Sequence, residues 1–430
     1  MTATPDRSGD PGAASAPTDP AARTSPAEAL AAAGRARMVA ALEESGDLAP
    51  GPLRDALLAL PRQVLMPQAY VRRSAPEQTP PSWQLLDWAV DADREELAEL
   101  LHGGGSVMVQ HAGEPLLGRV PGPREGGSMT AMSSTMAMTV PLLTLLDLRP
   151  GTRFLDVVTW AGVTAAAGCF LAGDHNVVTL DLDPHVGDGA RERLTRLGYR
   201  PAVVTGDGQG GWPERAPYER IFVSFGLPQV PPALVAQLAP GGHALMTVSS
   251  TSPSWPGLAV ITRAPRGRVR AELRGVEFGH RAGSGFEQVF LSTALRTRAT
   301  TAEGAWRLAS RLDPPRRTDR GFWTALSALR PGPVRDFTAD GLVVGAPGCG
   351  SWMRARPDGT RGRQVTAAGP RNIWDELHTV AALWRRAGSP AGYRIEFDAD
   401  GTQRATTPCT TLTWALPTRT LPATSPGAAP

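Results

Sequence analysis

The chain of 430 residues contains no lysine; all 44 of its basic side chains are arginines, set against 41 acids. That absence excludes Schiff-base chemistry on a lysine amine, and with it pyridoxal phosphate enzymes and lysine-type aldolases. It also excludes a P-loop lysine and the kinase-type strand lysine that pairs nucleotide phosphates. Cysteine is scarce: Cys169, Cys349 and Cys409 lie far apart, in no CxxC spacing. A disulfide framework or cysteine zinc site is not expected, and the pattern fits a reducing cytoplasm. The seven histidines show no HxxxH spacing, so no metal is expected. No apolar run approaches the ~18 residues that span a membrane, and the N-terminus lacks a signal-peptide pattern. The net charge is only +3, with the arginines scattered among acids. A nucleic-acid binder would concentrate them on one stripe, so no nucleic-acid partner is expected.

What is present is mostly Ala, Arg, Gly and Pro, with an ordinary 41% of hydrophobic residues. The length suggests two folded domains with tails. Residues 1–30 carry almost no large apolar side chains and read as a disordered tail, as does the end beyond about 415. Helical spacing appears over Ala27–Glu44, Leu53–Leu60 and Asp91–Leu101. Residues 68–128 read as an elaborated segment, with a strand over Ser106–Gln110 and a turn at His111–Glu114 leading into Pro115–Arg119. A helix follows over Thr135–Leu148. Strands at Arg153–Val158, Val177–Leu182, Ala202–Thr205, Arg220–Phe225 and His243–Ser249 then alternate with helices at Ala161–Leu171, Pro184–Leu197 and Pro232–Leu238. Such a βαβα rhythm signals an α/β fold, a doubly wound and mostly parallel sheet covered on both faces. Leu258–Thr262 and Val269–Phe278 read as an antiparallel pair. Residues 284–430 change pattern and read as an additional C-terminal α+β domain. There Val289–Leu295 is predicted as strand, and Glu303–Leu312, Arg320–Leu329 and Trp374–Arg386 as helices. Strands are predicted at Leu342–Gly345, in Met353–Thr366 folded at Pro357-Asp358-Gly359, and in the Tyr393–Thr406 hairpin.

In open α/β sheets, ligands sit outside the carboxyl ends of the strands. Three acids fall there. Asp156 lies near the end of the first strand of the alternation. Asp181 ends the second, about 20 residues past the first turn, where a carboxylate can accept both hydroxyls of a ribose. Asp207, in Gly206-Asp207-Gly208, follows the third, where a carboxylate can accept from an adenine amine. Any one of them alone would more readily be a helix cap. All three in the order of one α/β unit favour an adenosine site.

The run Val204-Thr205-Gly206-Asp207-Gly208, then Gly211-Trp212-Pro213 and Ala216-Pro217-Tyr218-Glu219-Arg220-Ile221, resembles the protein-L-isoaspartate O-methyltransferase family. So do Pro231-Pro232-Ala233-Leu234 with Gln237-Leu238-Ala239-Pro240-Gly241-Gly242, the Leu60-Pro61-Arg62 to Met66-Pro67 segment, and Val276-Glu277-Phe278 with Gly283. The resemblance covers roughly residues 35–283, which a Rossmann-like methyltransferase domain over 31–283 would occupy. It implies S-adenosylmethionine (SAM) as methyl donor and S-adenosylhomocysteine (SAH) as product. It implies a cofactor site of Met132, Asp156, Thr159, Trp160, Gly162, Asp181, Leu182, Asp207 and Gly208. Ser134 aligns with the family's active-site serine, and Ser133 is one register away; Ser133 and Arg124 are candidates for the substrate side. The family's first glycine loop reads Leu-Glu-Ile-Gly-Thr-Gly-Ser-Gly. Here the stretch is Leu155-Asp156-Val157-Val158-Thr159-Trp160-Ala161-Gly162, with Val158 and Trp160 in place of glycines. Either the loop seats SAM with the indole turned aside, or the site is weakened or lost.

The implied reaction needs no general base. An aspartyl carboxylate is ionised at pH 7 and can attack a methyl sulfonium directly. Catalysis then amounts to positioning, to which a hydroxyl such as that of Ser134 can contribute one hydrogen bond. The methyl ester can close to a succinimide and open to isoaspartate. The long 68–128 segment and the C-terminal region suit a dedicated substrate. Met129-Thr130 with Met132-Ser133-Ser134, and Ser252-Pro253-Ser254-Trp255-Pro256-Gly257, look closer to the homologues of actinobacteria that modify lanthipeptides. Those methylate an aspartate of a ring-bearing, ribosomally made peptide. A catalytically impaired peptide-binding relative and a general repair enzyme are the alternatives.

Overall fold

Ser25 begins the first helix as a capping box, its hydroxyl accepting from the Glu28 backbone N–H while the Glu28 carboxylate accepts from the Ser25 backbone. Pro26 at the first helical position needs no N–H partner there. The helix therefore starts inside the stretch expected to be tail. The computed structural model describes residues 25–75, 78, 80–248, 257–276, 292–302, 305–359 and 362–418. The Ser252–Pro256 part of the loop motif, and Glu277, Phe278 and Gly283 of the closing segment, lie outside the described residues. None of the described helices is long and apolar enough to cross a membrane.

Four helices open the chain: α1 (Pro26–Glu44), α2 (Pro52–Ala59), α3 (Arg62–Leu65) and α4 (Arg94–His102). α1 packs on α2 and α4, and α4 packs on a first sheet of β1 (Gln68–Arg72), β2 (Ser82–Asp87), β3 (Val107–His111), β4 (Gly122–Glu125) and β5 (Met129–Ser133), in the order β4-β2-β1-β3-β5. The turn expected after His111 does not fold β3 back onto Pro115–Arg119. β3 pairs instead with β1 and β5, and residues 112–121 form a loop. The outer strands β4 and β5 are joined by only Gly126-Gly127-Ser128. Four residue steps reach at most about 15 Å. A flat sheet would hold its edges about 19 Å apart, four strand spacings. The sheet must therefore curl, and His111 Nε2 to the Gly126 carbonyl at 2.9 Å ties the closing turn to β3.

Then comes α5 (Met136–Leu146), followed by the central sheet: β6 (Phe154–Val157), α6 (Val163–Ala172), β7 (Val177–Asp181), α7 (Pro184–Arg196), β8 (Ala202–Thr205), β9 (Tyr218–Leu227), α8 (Pro232–Ala236), β10 (Leu238–Val248), β11 (Gly257–Arg263) and β12 (Val269–Gly275). Strands β8-β7-β6-β9-β10 run parallel in that order, and β11 and β12 extend the sheet antiparallel. Every residue of β6 and β7 is buried, as strands covered on both faces require. The chain leaves β6 toward β7 on one side and returns to β9 on the other. This reversal opens a crevice at the carboxyl ends of the strands. It is the Rossmann-like methyltransferase fold that the sequence predicted.

The C-terminal region is rich in sheet. After α9 (Thr293–Thr301) come β13 (Trp306–Ser310), α10 (Arg320–Leu329), β14 (Val334–Thr338), β15 (Gly341–Ala346), β16 (Ser351–Pro357), β17 (Arg363–Ala368) and α11 (Ile373–Arg386), then β18 (Gly392–Phe397), β19 (Gln403–Thr406) and β20 (Thr413–Ala415). Strands β13-β17-β16-β15-β14 make a separate antiparallel sheet. Two expectations reverse here. Leu295, predicted in a strand, lies in helix α9, which Ser292 caps by accepting from the Leu295 N–H. Trp306–Ser310, predicted as helix, is strand, because its full ladder to β17 outweighs local spacing. The region also does not keep to itself. β18 pairs with β12, so the central sheet runs on through β18, β19 and β20. One core contains Ile261 and Leu273 together with Phe322, Trp323, Leu377 and Ile395.

Candidate functional site

Asp156 sits one residue before the end of β6 and is fully buried. Its Oδ2 accepts from Thr179 Oγ1 at 3.0 Å, and Thr179 Oγ1 lies 2.8 Å from Thr159 Oγ1. Its Oδ1 has no hydrogen-bond partner. Burial raises its pKa to about 8, helped by the neighbouring charge of Asp181 and opposed by the Thr179 hydrogen bond. Asp181 closes β7 and is 6% exposed. Burial raises it to about 6, against the backbone N–H groups of Asp183 and Trp160 that its two oxygens accept. Among the described residues, no arginine offsets either acid.

The loop after β6 keeps a glycine-like path despite its side chains. Trp160 has φ of 48°, a left-handed conformation that bulky residues rarely adopt. Its backbone N–H donates to Asp181 Oδ2 at 3.2 Å. Its indole Nε1 donates to Ser224 Oγ, on β9, at 3.2 Å, so the ring is swung toward β9. Gly162 keeps φ of 83° at the start of α6, where a side chain would be strained. On the opposite wall, Gly206 N–H donates to the Asp181 carbonyl, joining the loop after β8 to β7. Asp207 is exposed and its Oδ1 accepts from the Gln209 N–H. Gly208 must lack a side chain, since a Cβ there would stand 2.5 Å from Val157 Cγ1. Leu182 is 73% exposed beside Asp181. Asp156, Thr159, Trp160, Gly162, Asp181, Leu182, Asp207 and Gly208 thus stand at or just past the carboxyl ends of β6, β7 and β8.

Met132 and Ser133 lie at the end of β5, both buried, and Ser134 follows half-buried. Thr135, not Ser134, is the N-cap residue of α5, and it makes no side-chain cap bond. The Ser134 hydroxyl is thus not consumed in capping. Arg124 is the other candidate for the substrate side. It lies on β4 and donates to the carbonyls of Val120, Gly122 and Pro123, with Glu114 3.9 Å away.

One link between the curled sheet and the crevice escaped sequence reading. Gln110, 1% exposed on β3, donates from Nε2 to Asp183 Oδ2 at 3.0 Å, and its Oε1 accepts from Thr130 Oγ1 on β5 at 2.8 Å. Asp183 also caps α7 through the His185 N–H. The strand leading to Ser134 is thereby tied to the end of β7. A buried amide inside a strand was the only available signal, and it does not name its partner.

The donor set fits a nucleoside carrying positive charge. Each Asp181 oxygen accepts one N–H and retains capacity for a hydroxyl. Asp156 offers an unpartnered buried oxygen beside it. Two acids without a counter-cation favour a cationic ligand over a phosphate.

The sequence profile of the protein-L-isoaspartate(D-aspartate) O-methyltransferase family matches residues 125–267. A protein-L-isoaspartate O-methyltransferase of Thermococcus onnurineus is 35% identical over 167 residues, 38% of this chain and 71% of that protein. One of Aeropyrum pernix is 40% identical over 139 residues, 32% of this chain and 52% of its own length. The chain thus spans about half of the latter relative. Among solved structures, a protein-L-isoaspartate O-methyltransferase aligns over 90% of this chain and 100% of its own, at 15% identity and a TM-score of 0.44.

Proposed function

We propose that this chain, which belongs to the protein-L-isoaspartate O-methyltransferase family, methylates an aspartyl side-chain carboxylate of a peptide with SAM as donor. The observation that carries the reading is the loop of Thr159 to Gly162. It keeps a left-handed Trp160 whose N–H engages Asp181, and its indole is turned to Ser224. This supports a working cofactor site over an impaired one.

Asp181 would hold the ribose hydroxyls, Leu182 and Asp207 the adenine, and Asp156 with the Thr159–Gly162 loop the charged methionine portion. When bound, SAM supplies a methyl group on a sulfonium leaving group. The chain's own task is positioning. Ser134, free of capping duty, would donate to one carboxylate oxygen of the substrate and leave the other free to attack. A dry crevice raises the reactivity of an ionised carboxylate, and no basic side chain is needed to deprotonate it. The methyl ester formed is the better electrophile, so the next backbone nitrogen can attack it and close a succinimide, with the amide proton and the methoxy group leaving as methanol; the succinimide then hydrolyses to aspartate and isoaspartate.

The elaborated sheet before Ser134 and the sheet-rich C-terminal region support a dedicated substrate over general repair. A ring-bearing, ribosomally made peptide of the lanthipeptide type is the class we assign. Calorimetric titration with SAH tests the cofactor site, and no binding at millimolar ligand would sink the reading. A generic isoaspartyl peptide tests the substrate class. Efficient methyl ester formation there would favour general repair.

A further inference from the structure

Among the described residues, the C-terminal sheet ends in a strand with no second neighbour. β13 pairs with β17 on one side and forms the outer edge of its sheet. Trp306, Arg307, Leu308 and Ala309 are all exposed, and Ser310 is half-buried. Exposed edges are usually short, or blunted by proline or bulges. Here the ladder to β17 is unbroken over all five residues, from Trp306 opposite Ala367 to Ser310 opposite Arg363.

The two faces of this edge differ in kind. Residues directly opposite in an antiparallel ladder share a face. Leu308 continues the row Val365, Ala355 and Leu342, and Trp306 continues the row Ala367, Met353 and Val344. The inner members of both rows are core residues. Trp306 and Leu308 stand at their outer ends, 39% and 44% exposed. The other face carries Arg307 beside Thr366 and Arg354, with Arg356 one row away beside Gln364. Asp340 pairs with Arg356. Among the described residues, neither Arg307 nor Arg354 forms an ion pair; burial lowers the Arg354 pKa, the Arg356 charge adds to this, and the charge of Asp340 opposes it. Among the described residues, the edge therefore offers unpaired backbone groups, an apolar shelf on one face and a cationic row on the other.

We propose that β13 takes an extended segment of the peptide substrate as an added strand, with apolar residues over Trp306 and Leu308 alternating with acidic residues toward Arg307 and Arg354. Successive side chains of a strand point to opposite faces, so one extended segment meets both surfaces at once. The occupant is the substrate and not a second copy of this chain, because edge-to-edge pairing about a two-fold axis would gather the arginines of both copies on one face. The proposal rests on the peptide methyltransferase reading and adds to it a recognition surface remote in sequence from Ser134.

The test uses the full chain and a fluorescein-labelled octapeptide of alternating Val and Glu, with a Val/Lys octapeptide as control. The Val/Glu peptide should bind and slow amide exchange at residues 306–310. Arg307→Glu and Leu308→Asp, both at exposed positions, should each weaken its binding at least tenfold, and Arg307→Glu should narrow the preference over the Val/Lys peptide. Equal binding of the two peptides, or protection elsewhere than 306–310, would overturn the proposal. Protection that grows with protein concentration without peptide would also overturn it, in favour of a second copy. SAH binding measured by calorimetry keeps the two readings apart. Its absence in the wild-type chain strikes the methyltransferase reading, whereas its persistence in variants that have lost octapeptide binding supports the β13 assignment.

Discussion

At the scale of single residues, Asp156 concentrates the largest electrostatic cost in the crevice. Its carboxyl rises from the ordinary 3.8 to about 8 because it is buried, so the folded state holds a proton that the unfolded chain releases. Stability linked to this group is fully present below about pH 4 and is lost as pH rises toward 8. Urea unfolding of the ligand-free protein should therefore show a falling contribution across that window, and Asp156→Asn should flatten it. A slope unchanged in the variant would mean that other groups cause it. For Asp181, hydrogen bonds to a charged acceptor contribute about 1.5–3 kcal/mol each. Asp181→Ala should weaken SAH at least tenfold by calorimetry. Ser134→Ala should lower kcat by about 10–100-fold, one such hydrogen bond in the transition state, with KM for SAM unchanged. A rise in KM for SAM alone would place Ser134 on the cofactor and not on the carboxylate.

Among the elements, loops hold the site more than strands do. The Gly208–Trp212 loop is pinned by one side chain, Gln237, whose Oε1 accepts from the Trp212 N–H at 2.8 Å and whose Nε2 donates to the Gly210 carbonyl at 2.7 Å. Gln237 is 7% exposed, and its loss leaves the Trp212 N–H and the Gly210 carbonyl without this partner. Gln237→Leu should cost about 1–3 kcal/mol in chemical unfolding. It should also weaken SAH binding, since the loop carries Asp207 at its base. The elements of the central sheet were legible because buried parallel strands and their helices write strong patterns. β13 was not, since Ala305, Leu308, Ala309 and Leu312 fall at helical spacing and the partner strand that overrides it lies more than fifty residues on. The strands β1 and β2 were missed for a similar reason: they complete a curled sheet whose other members come later in the chain.

Taken whole, the molecule is joined across the boundary expected at 283/284. Gln403, 2% exposed on β19, donates from Nε2 to the Val230 carbonyl at 2.7 Å, and its Oε1 accepts from the Val230 N–H at 2.9 Å. Tyr393 on β18 donates its hydroxyl to the Gly321 carbonyl at 2.7 Å. A chain cut to residues 25–283 would lose β18 from the edge of β12 and expose Ala271 and Leu273. It should aggregate or lose cooperative unfolding, while the full chain melts with its C-terminal region. A monomeric, cooperatively folded fragment would show that the N-terminal part needs no such cover.

The order of acids at strand ends, and the motifs between Val204 and Gly242, were readable in the sequence because they stand at set offsets from strong strand and helix patterns. Those offsets are local. Whether a loop bearing Trp160 could keep a glycine's conformation was decided by contacts 21 and 64 residues away, with Asp181 and Ser224. The sharing of one core by both halves depended likewise on β12 meeting β18. Burial, orphaned oxygens and the bare edge of β13 exist only once distant segments have packed, because each is defined by which neighbour is present or missing.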